Sequence, residues 1–398
     1  MRTVSFLLSL LLIFTIPWEN AFAVGGVNVL TRGIGMLMAA GWLVSTLKAG
    51  FRKPHPFHVV MFVFILWNIA SFYWSVQGDD TVQRIKTYVQ VGILAWILWD
   101  LYTTPKALKA GLQAYVLGAY VSIGSTIFNY LKGETYNYLR YSATGFNPND
   151  LGLILALGIP VAWYLTVSKT NGRKAQALRL VNFAYVPAAI LAILLTASRG
   201  SLIAALPALL FLVGSLTRLK LYQRVLLFAA LTGSLFALLP LVPQSSFQRL
   251  GTTGTSIAEA DLNSRVDIWR EGIGVSSEHP IVGIGSGAYR AAVESGHVAH
   301  NSFLSVLVEV GMIGFVLFAA ISAIAVYEAM HQPRRDSIFW FTVLLVWALG
   351  VSVHSWEHQK TTWLFLSLVV ISAGAFRRQR LRRGSVRKRR PVESKSAI

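Results

Sequence analysis

The sequence contains no cysteine and few charged residues. None of its 398 residues is cysteine, which excludes disulfides, iron–sulfur clusters and thiolate metal sites. Only 13% of the residues are charged, whereas soluble globular proteins average about 25%. This composition disfavours a soluble multidomain enzyme.

Acidic residues are the scarcer of the two charge types. The chain has 36 lysine and arginine residues against 17 aspartate and glutamate residues, which gives a formal net charge of +19. A soluble nucleic-acid-binding protein would carry its basic residues on a polar face, and a chain that is 54% hydrophobic has little polar face. We therefore expect no nucleic-acid partner, and basic residues that lie in the loops and tails of a polytopic membrane protein.

Long apolar segments are abundant and predict an all-α, polytopic integral membrane protein. Most of them approach the roughly 20 residues that a helix needs to cross a bilayer. We expect about 12 transmembrane helices, at residues 4–17, 27–47, 56–76, 85–103, 107–131, 150–167, 180–197, 202–217, 225–243, 302–326, 338–355 and 361–376.

The first segment allows two interpretations. Arg2, a short apolar run and the sequence Ala21-Phe22-Ala23 are typical of a cleaved secretory signal. Pro17, Trp18 and Glu19 instead indicate a helix that ends at the membrane interface, and we favour this uncleaved helix. Cleavage would leave the orientation of the other segments unchanged.

Alternating loops differ strongly in their content of basic residues. One set of loops holds most of the lysines and arginines, together with Arg2 and the tail from Arg377 to Lys395. The positive-inside rule places this side, together with both termini, in the cytoplasm. The basic tail is then suited to bind anionic membrane lipids.

The predicted organisation is asymmetric. Residues 1–243 hold transmembrane helices 1–9, 244–301 form one large loop on the far side of the membrane (the periplasm if the cell is Gram-negative), 302–376 hold helices 10–12, and 377–398 form the basic cytoplasmic tail. A transporter with two matching halves would show repeated hydropathy, and this loop has no counterpart in the first half. The asymmetry favours a site on the outer face over a flippase or another transporter.

Four motifs of the second half together resemble the bacterial O-antigen ligase and O-antigen polymerase family. Their order and their placement relative to the spans also match that family. The motifs are Ser198-Arg199-Gly200; Ser264-Arg265 with Trp269; Pro280, Gly283 and Gly285-Ser286-Gly287; and His300-Asn301 followed by Gly311 and Gly314.

The resemblance implies a glycosyltransferase with an undecaprenyl-diphosphate-linked glycan donor. In ligases the acceptor is the lipid A-core, and in polymerases it is another carrier-linked repeat. By this resemblance, Arg199, Arg265 and His300 have catalytic roles, and we expect them to act at the periplasmic face. The outer loop before the sixth span holds few basic residues, which leans toward a ligase over a repeat-unit polymerase. Transfer to protein hydroxyls is a third option, although no extra domain for protein recognition is evident.

The same residues suit this chemistry on physical grounds. Arginine is permanently charged and binds phosphate oxygens in a fork, so Arg199 and Arg265 can stabilise a departing diphosphate. An imidazole such as that of His300 can accept the proton of an acceptor hydroxyl near neutral pH. A single displacement with inversion at the sugar C1 needs no metal, and we expect no metal and no cofactor.

Other residues are assigned by position. We expect further substrate contacts from Arg290, Asn301, Arg32 and Asn147, of which Arg32 is either a carrier contact or a side chain reaching to the interface. Trp269, Gly285, Gly311 and Gly314 are expected to be structural. Among the remaining polar residues, Arg84 and Lys86 would balance Asp79 and Asp80. The loop with His354, Glu357, His358 and Lys360 would contact the site only at its rim.

Helical geometry gives one sharper prediction. If the tenth span is a continuous helix from near His300, Gly311 and Gly314 share the face of His300, because each residue turns the helix by about 100°. Glu309 would then lie on the opposite face and would make a structural or gating contact away from the histidine.

Overall fold

The computed structural model describes residues 2–24, 27–137, 140–168, 172–217, 220–251 and 265–388. Ser264 of the second motif lies outside the described residues, as does the end of the basic tail. The described helices are α1 (Arg2–Thr15), α2 (Val29–Ala49), α3 (Pro56–Ala70), α4 (Gly78–Leu101), α5 (Pro105–Lys132), α6 (Pro148–Thr166), α7 (Arg173–Thr196), α8 (Arg199–Leu216), α9 (Leu221–Leu238), α10 (Gln244–Gly251), α11 (Arg265–Glu278), α12 (Tyr289–Ala292), α13 (Ser302–Met330), α14 (Arg334–Val351) and α15 (Lys360–Lys388).

Short elements complete the described structure. Three 3₁₀ turns span Ile16–Phe22, Ser71–Trp74 and Leu239–Leu241. The strands β1 (Ala23–Val24) and β2 (Val27–Asn28) pair antiparallel between α1 and α2. The prediction of an all-α membrane protein is therefore confirmed, apart from this small hairpin.

Nine helices of the described chain are long and apolar enough to cross a membrane. The predicted count of twelve is thus not confirmed, although the other three predicted spans do lie in helices, namely α4, α14 and α15. The nine are Arg2–Phe22, Val29–Lys48, Pro56–Trp74, Pro105–Lys132, Pro148–Thr166, Arg173–Thr196, Arg199–Leu216, Leu221–Leu241 and Ser302–Met330.

Helix α6 forms the centre of the bundle. The most apolar stretch of α6 is 83% buried, whereas that of the peripheral span Leu221–Leu241 is 6% buried. A helix that is apolar all round must be buried on all sides, by protein or by lipid, and α6 packs against α5, α7, α8 and α14. Helix α6 begins at Pro148, with Asn147 as its cap, so the first turn of this central helix lies at one end of the bundle.

Helix α1 packs into the bundle against α5. Ile13 is fully buried, and a Cβ on Gly118 of α5 would approach the carbonyl oxygen of Phe14 to 2.0 Å. The Ser122 hydroxyl donates to the carbonyl of Pro17 at 2.7 Å. Glu19 accepts a hydrogen bond from the ammonium of Lys360 at 2.5 Å.

The two ends of the bundle differ in character. One end, which we call the basic end, joins Arg2 to the buried Asp100 at 2.9 Å and the backbone amide of Arg52 to the same carboxylate at 2.8 Å. The other end, the loop end, brings together the residues after α1, α3, α5 and α7 and the segments between α9 and α13 and between α14 and α15. The predicted sorting of the loops into two sides therefore matches the packing of the helices.

Candidate functional site

A cavity of about 220 Å³ opens at the loop end. Its walls come from α4, the start of α6, the segment before α13, the first turns of α13, and the loop between α14 and α15. The lining residues are Arg84, Asn147, Asn149, Asp150, Gly287, Tyr289, Arg290, Val298, Ala299, His300, Ser305, Glu309, His354, Ser355, His358 and Gln359.

His300 enters this cavity from a strained backbone position. Its φ is +48°, and with Ala197 it is one of two non-glycine residues in the described chain with a positive φ. Such a conformation costs on the order of 1–3 kcal/mol and persists only where neighbours enforce it. Here the carbonyl of Ala299 accepts from the indole of Trp269 at 2.8 Å. On the other side, the Asn301 side chain caps α13 by accepting from the amides of Phe303 and Leu304 at 3.0 and 3.2 Å.

The surroundings of His300 keep its imidazole neutral. Burial lowers the pKa of His300 to about 4, and the nearby charges of Arg265, His354 and His297 add to this effect. A neutral imidazole has one nitrogen with a free lone pair, so His300 can accept a proton at neutral pH.

Arginines gather beside the histidine. Burial lowers the pKa of Arg265, and so does the charge of Arg199, which places the two predicted arginines near each other. Burial also lowers the pKa of Arg140 to about 10, with contributions from Arg249, Arg199 and Arg265. The repulsion between these like charges is relieved when an anion binds between them. We call Arg140, Arg199, Arg249 and Arg265 the arginine cluster.

Sequence reasoning missed Arg140, which joins two of the motifs. Its side chain is 6% exposed, and it donates to the carbonyl of Thr196 at 2.8 Å and to the side-chain oxygen of Asn149 at 2.7 Å. The hydroxyl of Ser198 donates to the same Asn149 oxygen at 3.0 Å. Arg140 therefore ties the Ser198-Arg199-Gly200 motif to the start of α6. The sequence did hold one signal for Arg140: it is an arginine shortly before Asn147-Pro148-Asn149, in a loop with few other basic residues.

The helical prediction for Gly311 and Glu309 is wrong, because α13 is not continuous. The helix begins at Ser302, after His300, and Gly311 breaks it with φ +67° and ψ −170°. Counting 100° per residue from His300 therefore has no meaning here. Glu309 lines the same cavity as His300 instead of facing away from it.

Residues 280–287, which we call the glycine loop, fill the break in α13. The amides of Met312 and Ile313 donate to the carbonyls of Pro280 and Ile281 at 2.9 and 3.3 Å, and the amide of Gly285 donates to the carbonyl of Glu309 at 2.8 Å. A Cβ on Gly311 would approach the Ile281 carbonyl oxygen to 2.2 Å. The expected close approach thus exists at Gly311, but its partner is the backbone of a loop and not another helix.

Gly314, in contrast, is helical and packs near α3. A Cβ there would meet Val310 of its own helix at 2.3 Å and the indole of Trp67 at 3.4 Å. The same indole donates to the Val310 carbonyl at 2.9 Å, a carbonyl next to the break at Gly311.

A buried ionic network supports the cavity floor. The guanidinium of Arg84 lies 2.5 Å from the carboxylate of Glu357 and 3.9 Å from that of Glu309, so it does not balance Asp79 and Asp80 as expected. Glu309 also accepts from the amide of Gly287 at 2.8 Å. Although burial alone would raise it, the hydrogen bond and charge of His358 and the charge of Arg84 lower the pKa of Glu357 to about 2.

The loop between α14 and α15 is a wall of the cavity and not a rim contact. His354 is 3% exposed and Glu357 is fully buried. The hydroxyl of Ser302, next to the His300-Asn301 pair, donates to the His354 carbonyl at 2.8 Å. The rim prediction is therefore wrong, because hydrogen bonds from α13 draw this loop inward.

The remaining predicted residues lie partly in this cavity and partly elsewhere. Asn147 and Arg290 line the cavity with His300, whereas Asn301 acts as a helix cap. Gly285 packs against Ser75, where a Cβ would meet the hydroxyl at 2.3 Å. Arg32 lies elsewhere, in a mainly apolar cavity of about 390 Å³ lined by Leu12, Thr31, Arg32, Gly35, Met36, Met38, Ala39, Gln90, Val91, Ile93, Leu94 and Lys360.

Comparison with known proteins gives consistent matches. A family model described as O-antigen ligase matches residues 184–319, which include Arg199, Arg265, His300 and Gly311. The chain is 26% identical over 326 residues to an O-antigen ligase of Pseudomonas aeruginosa, covering 80% of this chain and 77% of that protein. It is 25% identical over 325 residues to the exopolysaccharide production protein ExoQ of Rhizobium meliloti, covering 75% of this chain and 72% of that protein.

Proposed function

We propose that this chain, which belongs to the O-antigen ligase family, transfers a glycan from undecaprenyl diphosphate to an acceptor hydroxyl of the lipid A-core. The observation that carries the proposal is the position of His300, a neutral imidazole in a cavity beside the arginine cluster. Such a pairing of a proton acceptor with fixed cations suits transfer from a diphosphate leaving group.

The arginine cluster would bind the diphosphate. Arg199 and Arg265 are held by the segments that carry the family motifs, and Arg140 extends the positive surface toward α6. Guanidinium groups form paired hydrogen bonds to phosphate oxygens, and their charge is not lost at neutral pH. Their interaction strengthens as negative charge develops on the leaving diphosphate, which lowers the barrier of the transfer step.

His300 would accept the proton in the same step. The acceptor oxygen attacks C1 of the donor sugar, its proton passes to the imidazole, and the bond from C1 to the phosphate oxygen breaks with its electron pair leaving on the diphosphate. Attack from the face opposite to the leaving group inverts the configuration at C1. The step is metal-independent as proposed, since the arginines supply the positive charge.

The proposed site lies on the periplasmic face of the bacterial inner membrane, with both termini in the cytoplasm. Arg2, Arg52, Arg335 and Arg377 all lie at the basic end of the bundle, and the positive-inside rule assigns such an end to the cytoplasm. The donor lipid and membrane lipids would then reach the cavity from the outer leaflet.

A repeat-unit polymerase is the second candidate. The similarity to an exopolysaccharide production protein is nearly as extensive as that to an O-antigen ligase, and production of an exopolysaccharide suits the joining of carrier-linked repeats. Glycan profiling of a deletion strain separates the two: unattached polymer on the carrier indicates a ligase, whereas single repeats indicate a polymerase. A flippase would leave neither pattern, because its loss stops delivery of the lipid-linked glycan to the outer face.

Transfer in proteoliposomes tests the enzyme proposal. A defined carrier-linked glycan and acceptor are supplied with and without a chelator, to wild type, to His300→Ala, and to His279→Ala as an exposed histidine control. We expect transfer by wild type and by the control in chelator, and loss of about two to four orders of magnitude in His300→Ala, the usual contribution of a general base. Full activity of His300→Ala would refute the histidine role, and loss of wild-type activity in chelator would refute the metal-free reaction.

A further inference from the structure

The cavity that holds Arg32, which we call the second cavity, lies between α1, α2, α4 and the first residue of α15. Its volume is about 390 Å³, and most of its lining is aliphatic. Arg32 and Lys360 are the only charged residues of that lining. No lining residue is shared with the cavity that holds His300, so the second cavity is not part of the proposed transfer site.

The second cavity opens toward the membrane. Two residues that line it, Met36 of α2 and Ile93 of α4, are 68% and 47% exposed. The most apolar stretch of α2 is only 22% buried, so most of the surface of this span faces lipid and not protein. Because the hydrocarbon region of a bilayer holds no water, an apolar cavity that opens there is filled by lipid chains.

One end of the second cavity carries a cation without a counter-charge. Arg32 lies in the first turn of α2, which begins at Val29 at the loop end. The other cation, Lys360, is neutralised by the carboxylate of Glu19 at 2.5 Å, whereas no salt bridge joins Arg32 to a carboxylate in the described part of the chain. Nε of Arg32 is buried, but its two terminal nitrogens, which have no partner among those residues either, are not among the buried atoms. The end of this guanidinium is therefore accessible to a ligand.

The ligand must match a single cation at the membrane interface and an apolar space below it. From Arg32 to Ala39, which both line the cavity, α2 rises by about 10 Å into the bundle. A glycerophospholipid has one phosphodiester charge at headgroup depth and hydrocarbon chains below it, and arginine binds phosphate oxygens in a fork. The diphosphate of the carrier has more charge, and the arginine cluster offers it a matching set of cations.

We propose that the second cavity binds an anionic glycerophospholipid, with its phosphate on the guanidinium of Arg32 and one of its chains against α1, α2 and α4. Arg32 then contacts a lipid of the membrane and not the carrier. Lys360 directly follows Gln359, which lines the cavity of His300. The bound lipid therefore supports the start of α15 beside the reactive cavity, and its binding does not depend on the proposed transfer.

Native mass spectrometry of the delipidated full chain, titrated with phosphatidylglycerol in detergent, measures the dissociation constant of the first bound lipid. Arg32→Gln removes the charge and keeps a polar side chain. We expect this variant to bind at least about tenfold more weakly than wild type, the effect of losing hydrogen bonds to a charged group. Lys48→Gln is the matched control, since Lys48 is exposed at the other end of α2 and does not line the cavity, and its binding should not change. Equal binding by Arg32→Gln and wild type would overturn the phosphate site.

Filling the cavity tests the position of the lipid chain. Gly35 lines the cavity, and a Cβ added there would lie 4.0 Å from Leu12, so the first atom of Gly35→Leu fits and the rest occupies the space of the chain. We expect about tenfold weaker binding, the effect of excluding two methylene groups. Gly33→Leu is the control, because Gly33 has nothing within 4 Å of an added Cβ and does not line the cavity. Equal binding by the two leucine variants would place the chain elsewhere and contradict the proposal.

Two further lipids identify the ligand. Diacylglycerol, which has no phosphate, should bind wild type and Arg32→Gln equally and more weakly than phosphatidylglycerol binds wild type. A wild-type preference for undecaprenyl diphosphate over phosphatidylglycerol that is lost in Arg32→Gln would show that the carrier occupies the cavity and would overturn the phospholipid. Should Arg32→Gln fail to fold, the comparison of Gly35→Leu with Gly33→Leu in both lipids gives the same decision. A failed transfer assay would contradict the proposed function alone, since these titrations contain no glycan.

Discussion

Gly311→Ala should detach the glycine loop from α13 and abolish most transfer. Residue 311 has φ +67° and ψ −170°, and its added Cβ would lie 2.2 Å from the Ile281 carbonyl oxygen and 2.6 Å from the Val282 amide nitrogen. Both atoms belong to backbone, so the clash cannot be relieved by rotating a side chain. The loop must shift by more than about 1 Å to reach the distance of an ordinary van der Waals contact.

The expected cost combines conformation and hydrogen bonding. Placing alanine in this glycine-only region costs on the order of 1–3 kcal/mol. Loss of the bonds from Met312 to Pro280 and from Ile313 to Ile281 adds about 0.5–1.5 kcal/mol each. The total of about 2–6 kcal/mol is enough to favour a displaced loop, and a displacement of 1 Å at a reactive site can cost about a hundredfold in rate.

Transfer rate and the hydrogen exchange of Met312 and of residues 280–287 measure this effect together. We expect a rate at least about a hundredfold below that of wild type, with faster exchange of the Met312 and Gly285 amides. Gly274→Ala is the control, since this helical glycine of α11 has nothing within 4 Å of an added Cβ. Wild-type activity and wild-type exchange in Gly311→Ala would refute the view that the break in α13 holds the glycine loop.

Four further predictions concern the charged groups. Arg140→Lys keeps the charge but loses the paired bonds to Thr196 and Asn149, so the donor KM should rise about tenfold in steady-state assays; an unchanged KM would contradict its place in the arginine cluster. Because the pKa of His300 is lowered to about 4, kcat/KM should be flat between about pH 6 and 8 and fall below about pH 5. The same shift favours protonation of the unfolded chain, so the stability contribution of His300 should decline as pH falls from about 6.5 toward 4; a histidine NMR titration near 6.5 would exclude both. Glu357→Gln removes the closest carboxylate of Arg84 and should destabilise the fold by about 3 kcal/mol in thermal unfolding, whereas the exposed Glu278→Gln should have no effect.

The sequence was sufficient to predict an all-α membrane protein and the family motifs, although the count of twelve spans is not confirmed. These features depend on hydropathy and on short local patterns, which are visible without knowledge of contacts. The placement of Asn147, Arg290 and His300 around one cavity agrees with their predicted neighbourhood, although their roles remain proposals.

The errors have a common physical cause. The face assigned to Glu309 assumed that α13 is regular, and only the hydrogen bonds from the glycine loop reveal why it breaks at Gly311. The roles of Arg140 and His354 depend on contacts with Asn149 and Ser302, which are distant in the chain or hidden in a polar loop. Hydropathy ranks such residues as exposed, because it cannot register the partners that draw them inward.

The left-handed backbone at His300 restricts which residues this position can hold, independently of chemistry. Glycine adopts such a φ without penalty, and asparagine is several-fold enriched there, whereas a β-branched residue is strongly disfavoured. A chain of this fold with asparagine or glycine at 300 would therefore keep its cap at Asn301, its arginine cluster and its cavity, but would lack the proton acceptor. Under the proposed function, one substitution would in this way convert the transferase into a receptor that still captures the lipid-linked glycan.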